Sequence, residues 1–261
     1  MDKRANIVEV KNLGMIYHAL SGETEAIKDI NFDVYEGEIV GIVGPSGCGK
    51  STLLSIIAGL ISPTRGEVLV NGKKVECSSS DIGYMFQRDH LFEWRTILQN
   101  VLLGLEIHGK VDKESIEIAE HMLDTYGLRD FKDNYPRQLS GGMRQRAALI
   151  RTLIVEPNLL LLDEPFSALD YQTRLAISDE IGLILKNEKK TALLVTHDIA
   201  EAISLSDRII ILTNRPAVIK DIITINLTCA DGIWGPIKSR EAPEFRHYFN
   251  KIWKELDIHV R

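Results

Sequence analysis

The chain has 261 residues, with 31 Lys and Arg against 37 Asp and Glu, a net charge of −6. That length supports one large domain with a full apolar core, the ordinary apolar and charged content excludes a disordered chain, and the acidic balance argues against nucleic acid as the main partner. No apolar run approaches the roughly 18–20 residues of a membrane-spanning helix. No apolar leader with a small-residue cleavage site follows Met1. The three cysteines, Cys48, Cys77 and Cys229, lack metal-like spacing and suit a reducing compartment. The expectation is a soluble intracellular protein.

In chain order, Ile7–Val10, Ile27–Val34 and Glu38–Val43 read as strands from β-branched alternation or short apolar runs between charged turns. A glycine-rich turn begins at Gly44, and the pattern predicts a helix over Lys50–Leu60. Glu67–Val70 reads as a strand closed by a tight turn at Asn71-Gly72. From Thr96 to Leu153 the period is mainly helical, with Ile97, Val101, Leu102 and Leu105 on one face and Pro136 interrupting. Strand Asn158–Leu162, helix Gln172–Lys186, strand Ala192–Val195, helix Ile199–Leu205 and strand Arg208–Leu212 follow, and the tail from Asn214 carries further signals of both kinds. Strands alternating with helices imply a mostly parallel sheet covered on both faces. The helical middle reads as an insertion between two halves of that sheet.

Gly44-Pro45-Ser46-Gly47-Cys48-Gly49-Lys50-Ser51-Thr52 matches G-x-x-x-x-G-K-[ST] between a strand and a helix. Glycines let consecutive backbone N–H groups turn inward as an anion nest, and the following helix N-terminus adds positive potential. Lys50 can reach the β- and γ-phosphates and the Ser51 hydroxyl can ligate Mg²⁺. These features predict binding of ATP or another nucleoside triphosphate.

Asp163 and Glu164 end the apolar run Leu159–Leu162. A buried strand carries charge only at great cost, so acids at its exposed end point to function. Asp163 suits Mg²⁺, and Glu164 suits a general base for the attacking water. Ser140-Gly141-Gly142 ahead of a second helix makes another anion nest. One ATP does not need two separate nests in one small domain, so the second is assigned to the ATP of a partner molecule.

With these motifs in order, the chain resembles the ABC ATPase family over nearly its whole length, and Leu139–Gln145 looks like the family's signature motif. The resemblance implies an α/β fold: a P-loop NTPase (RecA-like) core with an N-terminal antiparallel β subdomain and an inserted helical signature subdomain. The implied boundaries are a core lobe of residues 1–87 and 154–213, a helical lobe of 88–153 and a C-terminal extension of 214–261. It also implies a head-to-tail dimer with a second copy, sandwiching two ATP molecules between Gly44–Thr52 of one subunit and Ser140–Gly142 of the other. By the same resemblance Tyr17 stacks on adenine, Gln87 touches Mg²⁺, Asp170 in Ser167–Asp170 communicates across the dimer, and His197 senses the γ-phosphate.

The segment between Gln87 and Ser140 is too short for an inserted coiled coil, there is one phosphate loop, and no membrane segment is fused. These features resemble the motors of prokaryotic importers rather than a non-transport ABC ATPase, which is the alternative. Asp89–Ile97, Ser167–Arg174, Asn214-Arg215-Pro216 and Pro243-Glu244-Phe245 are similar to importers of nitrate, sulfonate and taurine. Glu93 stands where that group more often has Pro, and Ala217-Val218 where it has a basic residue. The implied partners are integral membrane permease subunits and an extracytoplasmic solute-binding protein reached through the complex; Trp94, a tryptophan beside charges, reads either as packing on the helical lobe or as a contact to the permease. Nucleic acid is not expected. The implied location is the cytoplasmic face of the membrane.

Overall fold

The computed structural model describes residues 5–19, 22–167, 169–229 and 235–256. Met1–Arg4, Ala168 of the Ser167–Asp170 segment and parts of the tail lie outside them. The chain packs as two compact units, Met1–Ser79 with Leu175–Arg261, and Ser80–Arg174.

The first unit opens with β1 (Asn6–Ala19) and β2 (Gly22–Tyr35), paired antiparallel. Both are longer than their sequence patterns suggest. Register shifts between Val10 and Leu13 and again before Met15, with Asn12 at φ 48°, break the two-residue alternation that marks a strand. Next come β3 (Ile39–Val43), α1 (Lys50–Ile57), β4 (Arg65–Val70) and β5 (Lys73–Lys74). One antiparallel sheet has the order β2-β1-β4-β5, and Asn71 and Gly72 turn between its last two strands with φ of 51° and 72°. Helix α1 stops before the predicted Leu60 because Gly59 takes φ 71°, where any Cβ would lie 2.4 Å from the Cys77 backbone.

In the second unit, β6 (Ile82–Met85) is a strand that sequence patterning does not reveal. It is short, and its Gly83 has no room for a side chain against Pro157 and Thr152. Helices α2 (Ile97–Val101), α3 (Leu103–Ile107), α4 (Lys113–Thr125) and α5 (Gly141–Leu153) fill the predicted helical stretch. Strand β7 (Leu159–Asp163) is buried at every position and pairs parallel with β6.

Helix α6 (Tyr171–Asn187) leads back into the first unit, to β8 (Thr191–Val195), α7 (Ile199–Leu205), β9 (Arg208–Leu212), β10 (Ile219–Thr224), α8 (Pro236–Ser239) and α9 (Phe245–Glu255). Strand β3 lies between parallel partners β8 and β9, and β10 adds antiparallel to β9. Every residue of β3 and β8 is buried, as expected of parallel strands covered on both faces. The tail belongs to this unit. Ile252 of α9 is fully buried among Val43, Ile199, Ile203, Ile209, Ile211 and Ile223. Among the described residues, no helix is long and apolar enough to cross a membrane.

Candidate active site

Strand register places the candidate residues at strand ends. In the first unit Ile42 lies beside Val195 on parallel strands. Gly44 and His197 each follow two residues later, so the phosphate loop and the histidine emerge from the same end of the sheet. The Thr196 N–H donates to the Ile42 carbonyl at 3.3 Å and keeps the two strand exits together. The second unit repeats this arrangement. Met85 lies beside Leu162, and two residues on, the Gln87 side-chain amide donates to a Glu164 carboxylate oxygen at 3.0 Å. In parallel α/β sheets, the carboxyl ends of strands are where loops can gather binding groups without disturbing the ladder.

The phosphate loop is closed on itself. Lys50 is buried, and its ammonium donates to the Gly44 carbonyl at 2.8 Å and the Pro45 carbonyl at 3.0 Å. Cys48 packs inward at 1 % exposure, whereas Ser46, Gly47 and Ser51 are exposed. Gly49 caps α1 with φ 125°, a conformation closed to other residues without strain, and a Cβ there would meet the Ala26 carbonyl at 3.1 Å. Tyr17 on β1 is 42 % exposed, and its hydroxyl is 3.2 Å from the Thr52 hydroxyl, so the aromatic residue and the loop are joined directly. His197 is exposed. The next residue, Asp198, caps α7 by accepting from the Ala200 and Glu201 N–H groups.

In the second unit Asp163, the last residue of β7, is 5 % exposed, and Glu164 beside it is half-buried with φ 48°. Positive φ at a non-glycine residue costs roughly 1 kcal/mol or more and recurs at functional positions. Ser140 caps α5 by accepting from the Met143 N–H at 3.3 Å, and Gly141 and Gly142 form the first helical turn. Arg144 braces the same turn, donating to the Leu139 carbonyl at 2.9 Å and to Asp89 at 3.0 Å. A Cβ on Gly142 would lie 2.9 Å from the end of Leu169, so the Ser140–Gly142 turn and the segment before α6 are neighbours. Asp170 in that segment accepts from the Thr173 N–H at 3.0 Å, and its hydrogen bonds to Thr173 hold the carboxyl below its ordinary range.

Trp94 is 72 % exposed and stacks on Phe92 with ring centroids 4.8 Å apart. The loop presenting it is fixed by a residue that sequence reasoning missed. Asn100 is fully buried; it accepts from the Phe92 N–H and donates to the carbonyls of Phe92, Arg95 and Thr96. Arg151 adds bonds to the Asp89 and His90 carbonyls, and burial pushes its pKa down from the ordinary arginine value. Nothing in the spacing of Asn100 or Arg151 marks these roles, because their partners are backbone carbonyls, which every residue has.

The loop, its lysine and the acids at strand ends define a phosphate-loop ATPase. Residues 27–167 match the ABC transporter family, and similarity to members of that family runs through almost the whole chain. This chain belongs to the ABC transporter family. It is 48% identical over 252 residues, 97% of this chain and 96% of the relative, to an uncharacterized ABC transporter ATP-binding protein, YtlC, of Bacillus subtilis. It is 40% identical to the nitrate import ATP-binding protein NrtD of Synechocystis, covering 94% of this chain and 93% of that protein. It is 38% identical to the taurine import ATP-binding protein TauB of Roseobacter denitrificans, covering 94% of each. Among solved structures, the ATP-binding cassette MJ0796, a dimer in a post-hydrolysis state bound to ADP and Pi, matches with a TM-score of 0.75 at 34% identity, over 84% of this chain and 99% of that one.

Proposed function

We propose that this chain is the ATP-hydrolysing subunit of a membrane importer for a small solute of the nitrate, sulfonate or taurine class. The hydrogen bond from Gln87 to Glu164 carries the hydrolytic part of the reading. It links a general base at the end of a buried strand to the glutamine through which the family senses its membrane subunit. In this reading Gly44–Thr52 hold the phosphates, with Lys50 reaching for the β- and γ-phosphates. Tyr17 stacks on adenine, Glu164 takes the proton of the attacking water, and His197 holds the γ-phosphate oxygens.

The Ser51 hydroxyl, the Asp163 carboxylate and the Gln87 amide oxygen are hard oxygen donors of the kind Mg²⁺ requires, completed by phosphates and water. Mg²⁺, when bound, neutralises charge that develops on the phosphate oxygens. Ser140, Gly141 and Gly142 serve the ATP of a second copy in a head-to-tail dimer, and Asp170 communicates across it. Trp94, rigid and exposed, is the contact to integral membrane permease subunits at the cytoplasmic face. An extracytoplasmic solute-binding protein joins through the complex, and nucleic acid has no part.

The solute class rests on relatives named for nitrate and for taurine, and its test is the identity of the small molecule that co-purifies with the intact complex. The hydrolytic assignment is tested with Glu164→Gln. The variant is expected to retain ATP and lose turnover by roughly 10²–10⁴-fold, the usual weight of a general base. Hydrolysis at the wild-type rate would remove Glu164 from that role.

A further inference from the structure

The end of β9 and the loop that leads from it to β10 lie beside the phosphate loop. Leu212 fills the space beside Gly44, where a Cβ would come within 3.1 Å of it. Ala217 is fully buried and stitched to β2, its N–H donating to the Ala26 carbonyl and its carbonyl accepting from the Lys28 N–H, each at 2.9 Å. Between them the Arg215 guanidinium donates to the Gly47 carbonyl at 2.6 Å. The turn that aims it is held from inside, because the Thr213 N–H donates to the Val218 carbonyl and Thr213 Oγ1 accepts from the Val218 N–H.

When a glycine-rich loop turns its N–H groups inward around an anion, the carbonyls of the same peptides face outward and need donors of their own. Here the donors are cations from two different elements. Lys50 holds the carbonyls of Gly44 and Pro45, and Arg215 holds that of Gly47. The Gly47 carbonyl shares its peptide unit with the Cys48 N–H, which donates to the Pro45 carbonyl at 3.3 Å, so a charged donor on the oxygen strengthens the turn that shapes the loop tip. The two clamps differ in what nucleotide binding asks of them. Lys50 must share its three donors between these carbonyls and the phosphates it reaches for, whereas Arg215 lies on another element, with its one loop bond to the Gly47 carbonyl.

We infer that Arg215 is a positioning residue of the nucleotide site, which holds the tip of the phosphate loop in its anion-binding shape while Lys50 divides its donors between the loop and the nucleotide. The inference rests on the ATP-binding role proposed above and adds a residue outside the loop, on the hairpin leading to the C-terminal extension. It predicts equal weakening of ATP and ADP, since the bracing acts on the loop and not on the γ-phosphate or the attacking water.

The test uses the full chain with Arg215→Ala and Arg215→Lys, measuring dissociation constants for MgATP and MgADP, steady-state hydrolysis and melting temperature. Arg215→Ala is expected to raise both dissociation constants, and KM, by roughly three- to tenfold, the span of one ordinary net hydrogen bond at an exposed side chain. Its kcat is expected to stay within about twofold of wild type, and Arg215→Lys to recover part of the loss. A lowered melting temperature with unchanged dissociation constants would make Arg215 only a hairpin staple and overturn the inference. So would a fall in kcat at unchanged KM. Failure of the wild-type chain to bind MgATP would overturn the nucleotide-binding reading itself, and this inference with it.

Discussion

The two glycine-rich turns differ in how fully their own surroundings satisfy them. In Gly44–Thr52 the ammonium of Lys50 is buried on loop carbonyls, Arg215 caps another carbonyl, Tyr17 reaches Thr52, and Gly49 holds a backbone angle that excludes a side chain. In Ser140–Gly142 the serine is exposed, its hydroxyl serves as an ordinary helix cap, and the glycines have helical geometry. A turn whose backbone is fixed by its own unit is pre-organised for a ligand of that unit. The Ser140–Gly142 turn is braced from behind by Arg144 and keeps its serine exposed, which suits the proposal that it serves the ATP of a second copy.

Four substitutions can break or sharpen that contrast. The largest effect is expected from Lys50→Ala. A charge pair at about 4 Å contributes roughly 4 kcal/mol at an effective dielectric near 20, so MgATP affinity should fall by about three orders of magnitude in a nucleotide titration. Normal affinity would contradict the loop's assignment.

Next comes the pair Gly49→Ala and Gly142→Ala, compared by denaturant midpoint. Gly49→Ala forces an L-residue to φ 125° against the Ala26 carbonyl and should destabilise the chain by about 2 kcal/mol. Gly142→Ala meets only the movable end of Leu169 and gains helix propensity, so stability should stay within about 1 kcal/mol of wild type. Placed in the Glu164→Gln background, Gly142→Ala should nonetheless weaken ATP-driven dimerisation in light scattering. Equal stability losses at the two glycines would erase the distinction between a strained nest and an open one.

The smallest effect on the isolated chain is expected from Trp94→Ala. The ring is exposed and its loop is held by Asn100, so ATPase activity should stay within about twofold. Pull-down of the permease subunits should weaken. A large loss of activity in the isolated chain would move Trp94 from partner contact to internal support.

The sequence by itself determined the alternation of strands and helices, the phosphate loop and the acids that end β7. Each of these is written in local periodicity or in residue types that have few other uses at such positions. The length of β1 and the existence of β6 escaped that reading. Bulges around Asn12 disturb the alternation of the first, and the second has four residues and a glycine dictated by packing.

Only the tertiary structure decided that Gln87 holds Glu164, that Tyr17 meets Thr52, and that Arg215 braces Gly47. In each pair the partners are far apart in the chain and meet because the packing of distant elements brings them within hydrogen-bonding distance. Local pattern records which face a residue prefers; it does not record which distant residue will be waiting there.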